Sequence, residues 1–255
     1  MAKIVVIGES CIDEYVYGTC DRVCPEAAAL CFRHSNYKTV NSGMAGNTYE
    51  NLKALNDNDQ HQIDLITCRS TIIKRRFIDK KYNSIIFRED INDKSDKINL
   101  TNCNSLKDYD YIVISDYNKG FLSIDDIKKI SQIKRKDCLI FIDTKKSLKD
   151  LAQYVDFIKI NSPEFEQNAQ YIDEIIKYSN LIVTKGEKGA TFYSKNEIKD
   201  FATEKVILRD VCGAGDTFLA GLVIKYSETK DINESIKYAN ACACKVVAKF
   251  GVVTV

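Results

Sequence analysis

Cys212-Gly213-Ala214-Gly215-Asp216-Thr217-Phe218-Leu219-Ala220-Gly221-Leu222-Val223-Ile224 runs from a double-glycine turn into an unbroken apolar stretch. Two glycines let the backbone come close to a ligand, and the apolar run reads as a buried helix starting near Ala214. Such a turn would aim several free N–H groups, and the positive end of the helix dipole, at one point. That is an anion hole for a phosphoryl group in transit, built from Gly213, Ala214 and Gly215. Asp216 in the first turn is then poised to take a proton from an attacking hydroxyl. An ordinary glycine turn with an Asp favouring the helix start reads these residues equally well. The chain has neither Gly-x-Gly-x-x-Gly nor Gly-x4-Gly-Lys-Ser/Thr, which disfavours dinucleotide-binding and P-loop readings.

Outward from this helix, strand-sized apolar runs alternate with helical stretches, the mark of a mostly parallel sheet covered by helices. Lys3–Ile7, Tyr111–Ser115, Leu139–Ile142, Phe157–Ile160 and Leu181–Thr184 read as short buried strands. Helices are expected at Ser123–Ile133, Leu148–Tyr154, Ser162 to about Tyr178, Ala214–Tyr226 and Ile232–Lys249. Tyr15–Val40 and Ile72–Glu89 instead alternate with period two, which predicts half-buried strands in a small sheet standing off the main domain. No internal repeat, low-complexity tract or linker divides residues 1–255, so a single domain is expected.

Composition narrows the partners. Hydrophobic residues make up 45% and charged residues 29% of 255, and Lys+Arg 37 against Asp+Glu 36 leaves a net charge of +1. No global field favours nucleic acid or an anionic membrane, so phosphate recognition must be local. Neither a membrane-length apolar run nor a signal-peptide core is evident, and a cytoplasmic protein is expected. Ten cysteines include no CxxC pair, and the two histidines are not at a ligand spacing. Free, reduced thiols fit this better than a zinc site or disulfides.

Residues Arg209–Gly221 closely resemble the C-terminal signature of the ribokinase-like (PfkB) carbohydrate kinases, D-x-x-G-A-G-D-x-F-x-x-G. Asn161-Ser162-Pro163-Glu164 matches that family's N-x-x-E motif, and Val183-Thr184-Lys185-Gly186-Glu187-Lys188-Gly189 its nucleotide-side strand and turn. Gly8 and Asp13 match the sugar-binding segment. Within the family the chain is most similar to bacterial D-glycero-β-D-manno-heptose 7-phosphate kinases. Asp21–Ala27 looks like their R-I-S-P-E-A-P stretch, Ser115–Gly120 like S-D-Y-x-K-G, and Asp143-Thr144-Lys145 like D-P-K. Tyr238–Ala241 and the tail to Val255 follow their C-terminal helix. Taken singly, Asn161 and Glu164 could only cap a helix, Lys119 and Lys145 could be surface lysines, and Asp13 a turn residue. Six segments in one order point to the template instead.

The resemblance implies a ribokinase-like three-layer α/β fold with a small β lid from residues 15–40 and 72–89. It implies transfer of a phosphoryl group from MgATP to a sugar phosphate, with Asp216 as base. Asp13, Gly43 and Asn47 would hold sugar hydroxyls, and Arg22, Lys119 and Lys145 the phosphates. Asn161 and Glu164 would organise Mg²⁺ through water, with Thr184, Gly186, Gly189 and Asn240 on the nucleotide side. A monovalent cation and a homodimer through the lid belong to the same set of implications. Other acceptors (another sugar or a nucleoside), or a catalytically weak sugar-binding protein on this fold, are the competing readings. Gly43-Met44-Ala45-Gly46-Asn47 departs from the family's G-G-A-A-N, Glu9 replaces an Asp, and Cys212 a Thr. The stretch from Leu65 to Ile73 is shorter than in relatives. The end at Val255 leads us to expect no adenylyltransferase half.

Overall fold

The computed structural model describes residues 1–101 and 103–255, without the side chains at 103 and 104. In chain order the strands are β1 (Lys3–Gly8), β2 (Ser10–Val23), β3 (Leu30–Met44), β4 (Gln62–Thr67), β5 (Ile72–Asp79), β6 (Ser84–Ile91), β7 (Tyr111–Asp116), β8 (Leu139–Thr144), β9 (Phe157–Asn161), β10 (Asn180–Thr184), β11 (Ala190–Tyr193) and β12 (Ile198–Phe201). The helices are α1 (Ala45–Ala54), α2 (Ile124–Ile133), α3 (Ser162–Asn168), α4 (Ile172–Ile175), α5 (Ala214–Thr229) and α6 (Ile232–Val247). The main sheet runs β12-β11-β10-β9-β8-β7-β1-β4. It is parallel from β4 to β10 and antiparallel only at the β11 and β12 edge.

Burial on both faces explains the apolar runs. Ile4 and Val6 of β1 face a core shared with Leu52 of α1, Phe218 and Leu222 of α5, and Ile236 and Ala239 of α6. Val5 and Ile7 face the opposite core with Ile127 and Ile130 of α2. Period-two alternation therefore disappears from strands covered twice. The result is three layers, helices on each side of the sheet. No helix among the described residues is long and apolar enough to cross a membrane.

The second sheet has the order β3-β2-β5-β6, with β2 and β5 parallel and the outer pairs antiparallel. Its strands extend beyond the expected 15–40 and 72–89, because β2 and β3 rise directly from the main domain at Ser10 and Met44. Phe77 stacks on Phe87 at 4.2 Å and meets Phe32 edge-on, a partly exposed aromatic cluster on the lid.

Two helices are shorter than expected. Leu148–Tyr154 makes only a 3₁₀ turn at Ala152–Tyr154. Leu148, Leu151 and Ala152 are buried all the same. The segment from Ser162 breaks after Asn168, whose amide donates to the Glu164 carbonyl at 2.8 Å and competes with the helical ladder. One helix, α1, escapes the periodicity altogether. Its buried face carries Asn47, Thr48 and Asn51 beside Ala45 and Leu52, so the inward positions do not read as apolar.

Candidate active site

The loop before α5 is pinned from both sides by Asp210, which accepts from the N–H of Cys212 at 2.9 Å and of Gly251 at 3.0 Å. Gly213 then turns at φ 78°, ψ −5° to cap the helix. A side chain there would be strained, and its Cβ would lie 2.7 Å from the Asn47 amide nitrogen. The Gly215 and Asp216 N–H groups fall in the first helical turn, where amides lack intrahelical partners.

Asp216 is 4% exposed. Asn47 Nδ2 donates to one carboxyl oxygen at 3.0 Å, and the Tyr117 hydroxyl donates to the other at 2.7 Å. Asn51 donates to Asn47 Oδ1 at 2.9 Å, which fixes the direction of the Asn47 amide. Burial pushes the Asp216 carboxyl up to about 6, although the Asn47 and Tyr117 hydrogen bonds oppose this. The acid can thus be ionised near neutrality and still be basic enough to accept a proton. Burial and Asp216 itself hold the Tyr117 phenol far above its ordinary range, so it remains a donor.

The lid adds a second cluster of charged side chains. Asp13 on β2 is buried and ion-paired with Arg76 of β5, which is also buried. A Cβ at Gly43 would sit 1.9 Å from Asp13 Oδ2, so glycine there leaves the carboxylate its place. Lys74, two residues before Arg76, lies 5.2 Å over the Tyr117 ring. Glu9 is buried and accepts from the N–H groups of Tyr117, Lys119 and Phe121 at 2.9, 2.9 and 3.2 Å. It therefore organises the turn that carries Tyr117.

Met44 caps α1 at φ 58°, ψ −131°, a conformation that costs a non-glycine residue about 1–3 kcal/mol. Its side chain is buried with Cys11 and Ile72, against Tyr117, which contributes roughly 1.5–3 kcal/mol in return. Since these terms offset, Met44→Gly is expected to leave chemical-denaturation stability within about 1 kcal/mol while opening space beside Tyr117. A loss of several kcal/mol would show that packing outweighs strain at this position.

The expected phosphate and metal residues are distributed less simply. Asn161 and Glu164 form a reciprocal cap at the start of α3, with bonds of 3.0 and 2.9 Å. The other Glu164 oxygen pairs with Lys145. Both carboxyl oxygens are thus engaged, and among the described residues no three His, Cys, Asp or Glu side chains cluster as a metal site. A hydrated Mg²⁺ carried by a nucleotide fits this arrangement; direct ligation by Glu164 does not. A recess of about 240 Å³ is lined by Lys145, Lys146, Asn161 and Glu164 and by no residue of the Gly213–Asp216 turn. Lys119 pairs with Asp93, and Arg22 is exposed near the far end of β2. Neither therefore joins Asp216 in this conformation. Thr184 ends β10, Gly186 and Gly189 frame the following 3₁₀ turn, and the Asn240 amide is spent on the Phe201 carbonyl at 3.2 Å.

Sequence reading missed Tyr117 as the partner of Asp216, and missed Lys74 and Arg76. The last two were legible as alternate positions of Ile72-Ile73-Lys74-Arg75-Arg76, one strand face presenting two cations.

A family model for pfkB family carbohydrate kinases matches residues 38–255. The chain belongs to this family. It is therefore a phosphotransferase that acts on a sugar hydroxyl. Bifunctional protein HldE of Sulfurimonas denitrificans is 29% identical over 300 residues, covering 99% of this chain and 62% of that protein. The chain thus spans less than two thirds of the length of such curated relatives. Ribokinase from Thermotoga maritima superposes with a TM-score of 0.77 at 19% identity, covering 99% of this chain and 95% of that one. Arabidopsis thaliana ribokinase complexed with ribose and ATP gives 0.70 at 14% identity, covering 98% and 94%. These structures share the fold, and the pfkB match carries the activity.

Proposed function

We propose that this chain transfers the γ-phosphoryl group of ATP to the anomeric hydroxyl of a heptose 7-phosphate, with Asp216 as the base. The observation that carries the reading is the buried Asp216 at the head of α5, set by Asn47 and Tyr117 beside the Gly213–Gly215 turn. Its carboxylate accepts the acceptor proton as the oxygen attacks in line, and the Gly215 and Asp216 amides stabilise charge developing on the phosphoryl group, the expected Ala214 N–H being spent on the Val211 carbonyl at 3.3 Å. Mg²⁺ on the nucleotide would neutralise phosphate charge, near Asn161 and Glu164 and through water. Asp13, held by Arg76, would orient sugar hydroxyls. The lid would exclude water from the transfer.

The heptose assignment is supported by Asp21–Ala27 and Ser115–Gly120, which resemble heptose kinases, and by curated relatives named bifunctional protein HldE. One kinase domain over residues 1–255, acting in the cytoplasm, completes the reading. Exposed Tyr37, Val40, Ile85 and Phe87 on the lid strands support a homodimer formed there. ATP consumption over a panel of sugar phosphates, free sugars and nucleosides tests the assignment. Heptose 7-phosphate should give a kcat/KM at least about tenfold above every other acceptor, the scale of modest pocket discrimination. Preference for a different sugar or a nucleoside would replace the heptose and keep the kinase; sugar binding without turnover would remove the kinase too.

A further inference from the structure

Beneath the Gly213–Asp216 turn lies a lysine that the mechanism above does not use. Lys159 is on β9, directly opposite Asp143 of β8 in the sheet register. Its residue exposure is 5%, and Nζ donates to Asp143 Oδ2 at 2.6 Å. The strand face it shares with Phe157 and Asn161 looks toward α5, since Phe157 packs in the same core as Phe218 and Leu219. Nζ lies so near the turn that a Cβ on Gly215 would stand 2.7 Å away. Glycine at 215 therefore gives this ammonium access to the backbone that forms the anion hole.

An ammonium has three donors, and Asp143 is the one acceptor found for Lys159 among the described residues. Burying such a pair brings little stability, and an apolar pair of similar volume would serve the core at least as well. The charges facing it come from three elements besides its own strand: Asp143 on β8, Asp216 on α5 and Glu164 on α3. Burial alone would lower the Lys159 pKa, but these carboxylates more than offset it and hold the ammonium above its ordinary range. With one acceptor found among the described residues for its three donors and the Gly215 backbone close by, Nζ is placed to bind an anion at the turn.

We propose that Lys159 Nζ donates to the phosphoryl group in transit, a cationic floor to the amide turn. The inference rests on the kinase reading. In the step itself the acceptor oxygen–phosphorus bond forms and the bond from phosphorus to the β,γ-bridging oxygen breaks. The electron pair leaves with ADP, and the acceptor proton goes to Asp216. Lys159 keeps its proton throughout and acts only on charge, most strongly when the equatorial oxygens carry most of it.

Thermal shift with MgADP, and with MgADP plus aluminium fluoride as a mimic of the transferring group, isolates this role. Lys159→Met leaves Asp143 buried and unpaired, so Asp143→Asn/Lys159→Met is made alongside it to keep a neutral, foldable pair. Wild-type protein should show a shift with ADP and a further one with aluminium fluoride. The double variant should keep the first, lose most of the second, and lose about a hundredfold in kcat for the best acceptor of the panel, the scale of one lost oxyanion donor. Its KM for ATP should change by less than about threefold, as for an interaction made only in the transition state. A double variant with the full fluoride increment and near-wild-type kcat overturns the role of Lys159 and leaves the kinase reading standing. Wild-type protein without any ADP shift overturns the kinase reading, and this inference with it.

Discussion

Asp216→Asn should cost about a hundredfold or more in kcat, the usual scale for a lost general base, and should make the protein more stable at pH 7.5. The second effect follows from the same burial as the first. The carboxyl titrates at about 6 in the fold against an ordinary 3.8. A carboxyl raised in this way favours the folded state below pH 3.8, and that contribution is lost as the pH rises through about 6. At pH 7.5 the ionised acid therefore costs on the order of 3 kcal/mol. Asn removes the charge but presents an N–H₂ to one of two donors, Asn47 Nδ2 or the Tyr117 hydroxyl, which takes back roughly 1 kcal/mol or more. A net gain of about 1–2 kcal/mol is expected at pH 7.5, shrinking toward pH 4.5 as the wild-type acid protonates. In the wild-type enzyme the same titration should appear as a fall in kcat/KM below about pH 6, tenfold per pH unit once the base is protonated. Near-wild-type turnover of the variant, or a variant less stable than wild type at pH 7.5, would sink the placement of Asp216 as a buried base.

The contrast between α5 and α1 shows how far sequence reading reached. Helix α5 is apolar on nearly every side and opens with glycines and one acid, so its burial, and the acid proposed as base, were both visible in Cys212–Ile224. Helix α1 spends its inward positions on Asn47, Thr48 and Asn51, which bond to Asp216 or to one another. The polar residues that hold Asp216 and one another erased the pattern that would have announced it. The parallel strands were legible because burial on both faces leaves unbroken apolar runs. The lid was legible as alternation, but not the pairing of β2 with β5, on which the Asp13–Arg76 contact depends. Lys119 and Lys145 were read as cations for a phosphate. Their partners, Asp93 and Glu164, lie 26 and 19 residues away, a distance at which local pattern says nothing.

Arg76→Met is the substitution expected to cost the most stability, and the reason lies in what it leaves behind. Arg76 and Asp13 pair at the junction of lid and main domain, and the guanidinium lies 5.1 Å over the Tyr15 ring. The Tyr15 hydroxyl in turn accepts the Val252 N–H at 3.0 Å, so the pair also supports the tail at Val252. Removing only the cation strands Asp13, which is 3% exposed. Breaking a buried pair in this way costs about 3–5 kcal/mol, far more than the pair contributes over a neutral replacement. Asp13→Asn/Arg76→Met should therefore recover most of the loss, and a double-mutant cycle in urea should give a coupling of at least about 2 kcal/mol. A single variant that loses under about 1 kcal/mol, or a double variant whose loss equals the sum of the singles, would show that the two side chains do not depend on each other. Activity separates the structural role from the functional one. The stable double variant should still bind ADP, because the residues proposed for the nucleotide side, such as Thr184, Gly186 and Gly189, lie at β10 and its following turn and not on β5. Its KM for the sugar should rise well above wild type, because the carboxylate proposed to hold the hydroxyls is gone. Recovery of both stability and sugar affinity would leave Asp13 a purely structural anion and move sugar recognition elsewhere on the lid.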